Sequence, residues 1–260
     1  MKKDHKKIYG TYPSLEDRVV VITGGSAGIG AAMVTAFYEQ GSKVAFLDID
    51  KDKAFNLKSS LNISNKFEPY FIECDVTNIK HLQASLKQVS NNVGKIHTMI
   101  NNAGGNVRMA VNDIKLEDWE NFQSLNIRHV LFASQVAFSD MKEIRDGSII
   151  NFTSPTFRRR KEGWAGYAAA KAGIEGLSRI IAREYGEFGV RVNSIMPGWT
   201  ATEHHKEFFL NDEVEKDIMT TQCLKQFVQP EDIARIALFL SADDSKFITA
   251  QIFKGDAGLV

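Results

Sequence analysis

Ser154, Tyr167 and Lys171 stand in the segment S-P-T-F-R-R-R-K-E-G-W-A-G-Y-A-A-A-K, with the tyrosine four residues ahead of the lysine. If that stretch is helical, Tyr167 and Lys171 share one face, because positions i and i+4 are neighbours at the helical repeat. An ammonium beside a phenol favours the phenolate. The spacing therefore predicts a tyrosine of lowered pKa that can take or give a proton near neutral pH. The same pair also arises by chance in many helices, so the elements around it have to decide.

Those elements alternate. A β-branched run over 18–23 reads as a buried strand and meets the turn Gly24-Gly25-Ser26-Ala27-Gly28-Ile29-Gly30, after which 31–40 has helical composition and stops at Gly41. Strands follow over 43–47, 70–74, 96–100, 147–153, 190–196 and 248–254, with helices over 79–91, 116–143, from Tyr167 to about 187, and over 230–240. Pro230 with Glu231 and Asp232 opens the last of these helices as a proline and first-turn acids should. Regular βαβ alternation implies a doubly wound Rossmann-type α/β sheet of about seven parallel strands, with helices on both faces. No linker, repeat or low-complexity tract divides the chain, so 15–260 reads as one domain behind a flexible tail over 1–14. The segment 200–225 is a polar, helix-prone insert at a strand's carboxyl end, placed either as a substrate lid or as a surface excursion.

A glycine turn between a strand and a helix suits a pyrophosphate: glycines let the backbone approach, and the helix N-terminus offers free N–H groups. A plain glycine-rich turn is the alternative. Asp48 ends the second strand, where a carboxylate can accept from the adenosine ribose and would repel a 2′-phosphate. No Lys or Arg stands at Ile49 or within the glycine turn, which favours NAD over NADP; Asp50 competes for the same role. Asp75 ends the third strand as a candidate for the adenine amino group or as a turn acid, and Asn101-Asn102-Ala103-Gly104 closes the fourth. Asn126 falls inside a predicted helix, where asparagine is mildly unfavourable, and predicts a hydrogen-bonded kink or a bound water.

Bulk properties exclude several classes. Of 260 residues, 32 are basic and 32 acidic, and this balance points to neither nucleic acid nor a membrane surface as partner. No apolar run approaches the roughly 18 residues that span a bilayer. The basic N-terminus lacks the apolar stretch of a signal peptide. Cys74 and Cys223 match no metal spacing and read as thiols of a reducing compartment, so a cytoplasmic location and no metal are expected.

Thr23 to Gly30 (T-G-G-S-A-G-I-G), Asn101 to Gly104 (N-N-A-G), Ser154, Tyr167 to Lys171 (Y-A-A-A-K) and Pro197 to Thr202 (P-G-W-T-A-T) together resemble the short-chain dehydrogenase/reductase family, in order and spacing across nearly the whole chain. The resemblance implies a tetrad of Asn126, Ser154, Tyr167 and Lys171. Tyr167 would exchange the proton, Ser154 would bond the substrate oxygen, Lys171 would hold the nicotinamide ribose and lower the tyrosine's pKa, and Asn126 would anchor a water. It implies cofactor contacts at Gly24, Ser26, Ala27, Gly28, Ile29, Gly30, Asp48, Ile49, Asp75 and Val76. Further contacts are implied at Asn102, Ala103, Gly104, Tyr167, Lys171, Pro197, Gly198, Thr200 and Thr202, and the family likeness implies a homodimer or homotetramer. Within the family, Y-P-S-L at Tyr12 to Leu15, F-L-D-I at Phe46 to Ile49, N-I-R-H at Asn126 to His129 and D-A-G at Asp256 to Gly258 resemble bacterial NAD-dependent aldose 1-dehydrogenases, which oxidise a pyranose at C1 to a lactone.

Two stretches depart from that group. Ser154 is followed by Pro155-Thr156-Phe157 instead of a Ser-Trp pair, and then by Arg158-Arg159-Arg160-Lys161. The cations could clamp a carboxylate or phosphate, or form a solvated or interface run. Gly105-Asn106-Val107-Arg108-Met109 keeps the group's arginine but lacks its histidine. Asn106, Arg108, Arg158, Ser154 and Tyr167 are thus the candidate substrate contacts. Two other readings stand beside sugar oxidation: an NAD(P)-dependent reductase of a keto acid, ketone or 3-oxoacyl thioester, and a nucleotide-binding scaffold without catalysis.

Overall fold

Val19–Thr23 is buried along its whole length, as a β-branched run must be when helices cover both faces of its sheet. It forms β1, and the sheet is laid out around it. The computed structural model describes residues 10–61, 67–105, 107–208 and 211–260. Among these, β1 pairs in parallel with β2 (Lys43–Asp48) on one side and β4 (Ile96–Asn101) on the other. β3 (Tyr70–Glu73), β5 (Gly147–Phe152), β6 (Val190–Pro197) and β7 (Ile252–Gly255) complete one seven-stranded parallel sheet in the order β3-β2-β1-β4-β5-β6-β7. The winding reverses between β1 and β4, and there the carboxyl ends of the strands part to leave a crevice. The expected doubly wound α/β fold is the observed one.

Alternate residues of each strand feed two apolar layers. Val20, Ile22 and Phe46 pack with Phe37 of α1 (Gly28–Glu39) and Leu238 of α10 (Pro230–Ser241). Val21, Leu47 and Met99 pack on the other face with Leu86 of α3 (Ile79–Asn92), Ala137 of α5 (His129–Ile144) and Ile181 of α7 (Ala165–Tyr185). The remaining helices are α2 (Lys51–Ser60), α4 (Leu116–Gln123), α6 (Thr156–Arg159), α8 (Glu203–Phe208) and α9 (Asp212–Thr221). No helix among the described residues is long and apolar enough to cross a membrane.

Three expectations are corrected. The helix expected over 116–143 is α4, then a π-helical turn over Ser124–Arg128, then α5. The strand expected over 248–254 is shortened to β7, because Ala250 takes a left-handed φ of 58° and the Asn193 side chain brackets the bend, donating to Ile248 O at 2.9 Å and accepting from Gln251 N at 3.1 Å. Residues 10–14 of the expected tail are tied to the body. The Gln40 side-chain amide accepts from Tyr12 N at 2.9 Å and donates to Gly10 O at 3.2 Å, Ser14 Oγ accepts from Asp243 N at 3.1 Å, and Leu15 beyond them is fully buried. Residues 1–9 of that segment lie outside the described residues.

Candidate active site

The Tyr167–Lys171 pair sits in the first turns of α7, a stretch of small residues because the helix runs close against its neighbours. A Cβ on Gly166 would come within 2.3 Å of the Phe122 ring on α4. Lys171 is 4% exposed; its Nζ donates to Phe152 O at the end of β5 at 2.9 Å, and its own carbonyl accepts from Thr153 Oγ1 at 2.7 Å. Burial pulls its pKa down to about 8. The Nζ lies 5.7 Å from the Tyr167 ring centroid.

The expected lowering of the tyrosine is not what the chain's own groups produce. Burial pushes the Tyr167 phenol above its ordinary range, and the Ser154 hydroxyl pulls the other way. Removing the phenolate from water outweighs the serine's hydrogen bond. Ser154 Oγ is 2.8 Å from Thr156 Oγ1 and accepts from Thr156 N at 3.3 Å, which fixes the serine at the start of α6.

Asn126 occupies the middle of the π-helical turn and is fully buried. Its Nδ2 donates to Phe122 O at 3.1 Å, and its Oδ1 accepts from Gly105 N at 3.1 Å. A π turn admits an extra residue into a helix, and here it swings the asparagine onto the loop after β4. Gly104 has no side chain for a steric reason: a Cβ there would stand 2.9 Å from Asn126 Oδ1 and 3.3 Å from Lys171 Nζ. Asn126, Lys171 and the N-A-G turn thus converge on one point.

At the switch point the glycine turn makes a cradle. A Cβ on Gly30 would fall 1.8 Å from Gly24 O, so α1 can start this close to β1 only with glycine there. The turn is locked from both sides. Asn102 Nδ2 donates to Thr23 O at 3.0 Å and Gly24 O at 2.9 Å, while Asp48 Oδ2 accepts from Ser26 N at 2.9 Å. A groove of about 1050 Å³ runs over this cradle and is lined by Gly24, Ser26, Ala27, Gly28, Ile29, Gly30, Asp48, Ile49, Asp75, Val76, Asn102, Ala103, Gly104 and Thr202. Asp75 Oδ1 is engaged by Thr77 N at 2.8 Å and Thr77 Oγ1 at 2.7 Å, so Asp75 shapes its turn and faces the groove at once. An extended groove, a backbone cradle closed to side chains and a strand-end carboxylate fit a dinucleotide.

A second cavity of about 590 Å³ holds Ser154, Tyr167, Lys171, Pro197, Gly198 and Thr200, and meets the groove at Ile29, Asn102, Gly104 and His205. Of the candidate substrate residues, Arg108 lines it with its guanidinium carbon 5.6 Å from the Trp164 ring centroid. Arg158 does not line it; its guanidinium is drawn to Glu175 on α7 at 3.2 Å. Arg159 and Lys161, further along the same run, take that place. Asn106 lies outside the described residues.

Sequence reasoning missed several residues at these sites. Lys53 lines the groove, bonded to Asp50 at 2.9 Å; its place three residues after Asp50 was the available signal. Asp217 on α9 accepts from Arg159 at 2.8 Å and Lys161 at 2.6 Å, and these two cations hold its carboxyl below the usual range. His129, fully buried with neither ring nitrogen in a well-formed hydrogen bond among the described residues, is kept neutral, its pKa pulled to about 3 by burial and by the Lys171 charge.

A parallel sheet whose switch point carries a glycine cradle, beside a cavity with a buried lysine and two hydroxyls, defines a doubly wound dinucleotide-dependent oxidoreductase. A family model described as enoyl-(acyl carrier protein) reductase matches residues 24–260, and the chain belongs to the short-chain dehydrogenase/reductase family. It is similar to the D-xylose 1-dehydrogenase of Caulobacter vibrioides, 36% identical over 95% of this chain and 97% of the relative. The protein named probable galactose dehydrogenase of Rhizobium meliloti is 35% identical over 95% and 97%. A 3-oxoacyl-[acyl-carrier-protein] reductase of Thermotoga maritima is 31% identical over 95% and 99%. Among solved structures, a short-chain type dehydrogenase/reductase from Mycobacterium ulcerans superposes with a TM-score of 0.89 at 25% identity, covering 95% of this chain and 90% of that one.

Proposed function

We propose that the protein oxidises a cyclic sugar at C1 to its lactone with NAD as hydride acceptor. The observation that carries this reading is the junction of two sites: the cavity with Ser154, Tyr167 and Lys171 opens into the strand-end groove at Asn102 and Gly104. A bound oxidised nicotinamide supplies the hydride acceptor and a positive ring. The chain's own groups manage the proton. As the C–H electron pair leaves with the hydrogen, the O–H bond of the C1 hydroxyl breaks and its proton passes to Tyr167. Ser154 donates a hydrogen bond to the forming carbonyl oxygen. Lys171, when protonated, favours the phenolate form of Tyr167. Asn126, pinned between Phe122 O and Gly105 N, anchors a water on the proton's way out.

Asp48 supports NAD over NADP, since a 2′-phosphate would approach its carboxylate at the end of β2. Among the described residues, Lys53 is the one opposing charge lining that groove, and it is engaged by Asp50. α8 and α9 form the lid of this reading, with His205, Asn211 and Val214 on the cavity wall. The similarity to two sugar dehydrogenases supports a sugar as substrate. The exposed apolar side chains Val111, Leu116, Trp119 and Ile180 support a self-assembled form.

The test is NADH formation across aldoses, uronates, hydroxy acids and simple alcohols, with Tyr167→Phe beside the natural enzyme. Turnover should fall about a thousandfold in the variant, with NAD affinity kept. A variant that turns over sugar normally would remove Tyr167 from the chemistry.

A further inference from the structure

Arg108, Arg159 and Lys161 line the cavity as cations without matching acids: no Asp or Glu is among its described lining residues. Behind them, Asp217 Oδ2 alone serves both Arg159 at 2.8 Å and Lys161 at 2.6 Å. Arg108 has no carboxylate within ion-pair distance among the described residues. Among the described residues, the three lining cations thus have one carboxylate between them, and it reaches only Arg159 and Lys161. Arg158 is not part of this excess, because Glu175 satisfies it away from the cavity.

Arg108 is held in place. Its loop is tied to the segment before α7 by Met109 N donating to Gly163 O at 2.9 Å. Its guanidinium sits by the Trp164 ring, and Trp164 meets Tyr167 edge-on at 5.9 Å between centroids. A guanidinium beside an indole, with no carboxylate partner, has N–H donors to offer a ligand and presents a planar fork that matches a carboxylate or a phosphate. Arg159, 15% exposed, is a cation already largely removed from water. Such a group gains most from an anion that completes its pairing.

We propose that the substrate is an anionic sugar, a sugar acid or a sugar phosphate, whose charged group is held by Arg108 beside Trp164 with Arg159 and Lys161 completing the site. This rests on the reading of the cavity as a sugar site and narrows it. The anion sits on the wall formed by the 108 loop and the 159–161 segment. The carbinol is left at Ser154 and Tyr167.

The experiment compares kcat/KM for D-galactose and D-glucose with that for D-galacturonate, D-glucuronate and D-glucose 6-phosphate, using NAD and the full chain. The anionic sugars should exceed their neutral parents at least tenfold, and the uronate and phosphate arms separate the two anion types. Arg108→Met should lower the anionic-to-neutral ratio at least tenfold, and Arg108→Lys should lower it less. Asp217→Asn should raise the ratio, since it removes the competing carboxylate. Neutral sugars equal to or better than anionic ones, or a ratio unmoved in Arg108→Met, would overturn the proposal. A binding arm separates this from the oxidation reading: glucuronate is titrated into the natural enzyme and Arg108→Met by tryptophan fluorescence. Arg108-dependent binding without oxidation of any sugar leaves the anion site standing and sinks the C1 oxidation. Oxidation of neutral sugars without glucuronate binding does the reverse.

Discussion

Burying an ammonium beside β5 costs the chain desolvation, and Lys171 answers it with one backbone acceptor, Phe152 O. Its pKa in the folded protein, about 8, lies below that of an unfolded lysine, so between these values the unfolded chain binds more protons than the folded one. Stability then rises with pH across that window. The contribution is on the order of 3 kcal/mol, fully unfavourable below pH 8 and removed as pH climbs towards 10. Urea unfolding from pH 7 to 10 should show this rise in the natural protein and a flatter profile in Lys171→Met; parallel profiles would mean that Lys171 is not desolvated. The meeting of Tyr167 and Lys171 was legible because the two stand four residues apart on a predictable helix, α7. Asp217 was not, since its partners Arg159 and Lys161 lie on a segment remote in sequence and nothing local to α9 marks it. The lowered phenol was misread because a four-residue spacing reports adjacency and says nothing of how deeply both groups are buried.

At the scale of elements, the placing of α7 against α4 sets where the tyrosine and lysine stand. Gly166 lets the two helices touch, and a methyl there would overlap the Phe122 ring at 2.3 Å. Gly176, further along the same helix, would meet nothing within 4 Å. Helix propensity alone favours alanine by about 0.8–1 kcal/mol at either site. Gly176→Ala should therefore stabilise the protein by about that amount with kcat unchanged. In Gly166→Ala overpacking of about 1–3 kcal/mol outweighs the gain, and kcat should fall as Tyr167, one residue on, is displaced. Paired thermal melts and turnover measurements read both outcomes; equal shifts in the two variants would mean that α7 is free to move off α4. The strands, the glycine turn and α10 were legible from β-branched runs and capping residues. The π turn was visible only as the oddity of Asn126, because an inserted residue leaves no periodic mark. The shortening of the last strand depends on the Asn193 side chain, which a strand pattern does not register.

For the whole molecule, one continuous sheet joins the cradle on β1 and β2 to the half that carries Lys171. β4 pairs with β1 on one side and β5 on the other, and buried Asn101 and Asn151 are bonded across β4 and β5 at 2.8 Å. Topology was legible from βαβ alternation, since right-handed crossovers leave few ways to wind such a chain. A ligand bound at one half should accordingly stabilise both in a single transition. NAD at a hundred times its Kd should add about 2.7 kcal/mol, a shift of roughly 5–10 °C for a chain of this length. On the proposed reading, the charge at Asp48 opposes a 2′-phosphate. NADP at the same concentration, bound tenfold more weakly, should add about 1.4 kcal/mol less, and in Asp48→Asn the gap between the two should narrow. Differential scanning calorimetry with each nucleotide reads this. Equal shifts for NAD and NADP in the natural protein would take the selective role from Asp48 and leave the Lys53 ammonium as the group that receives the phosphate.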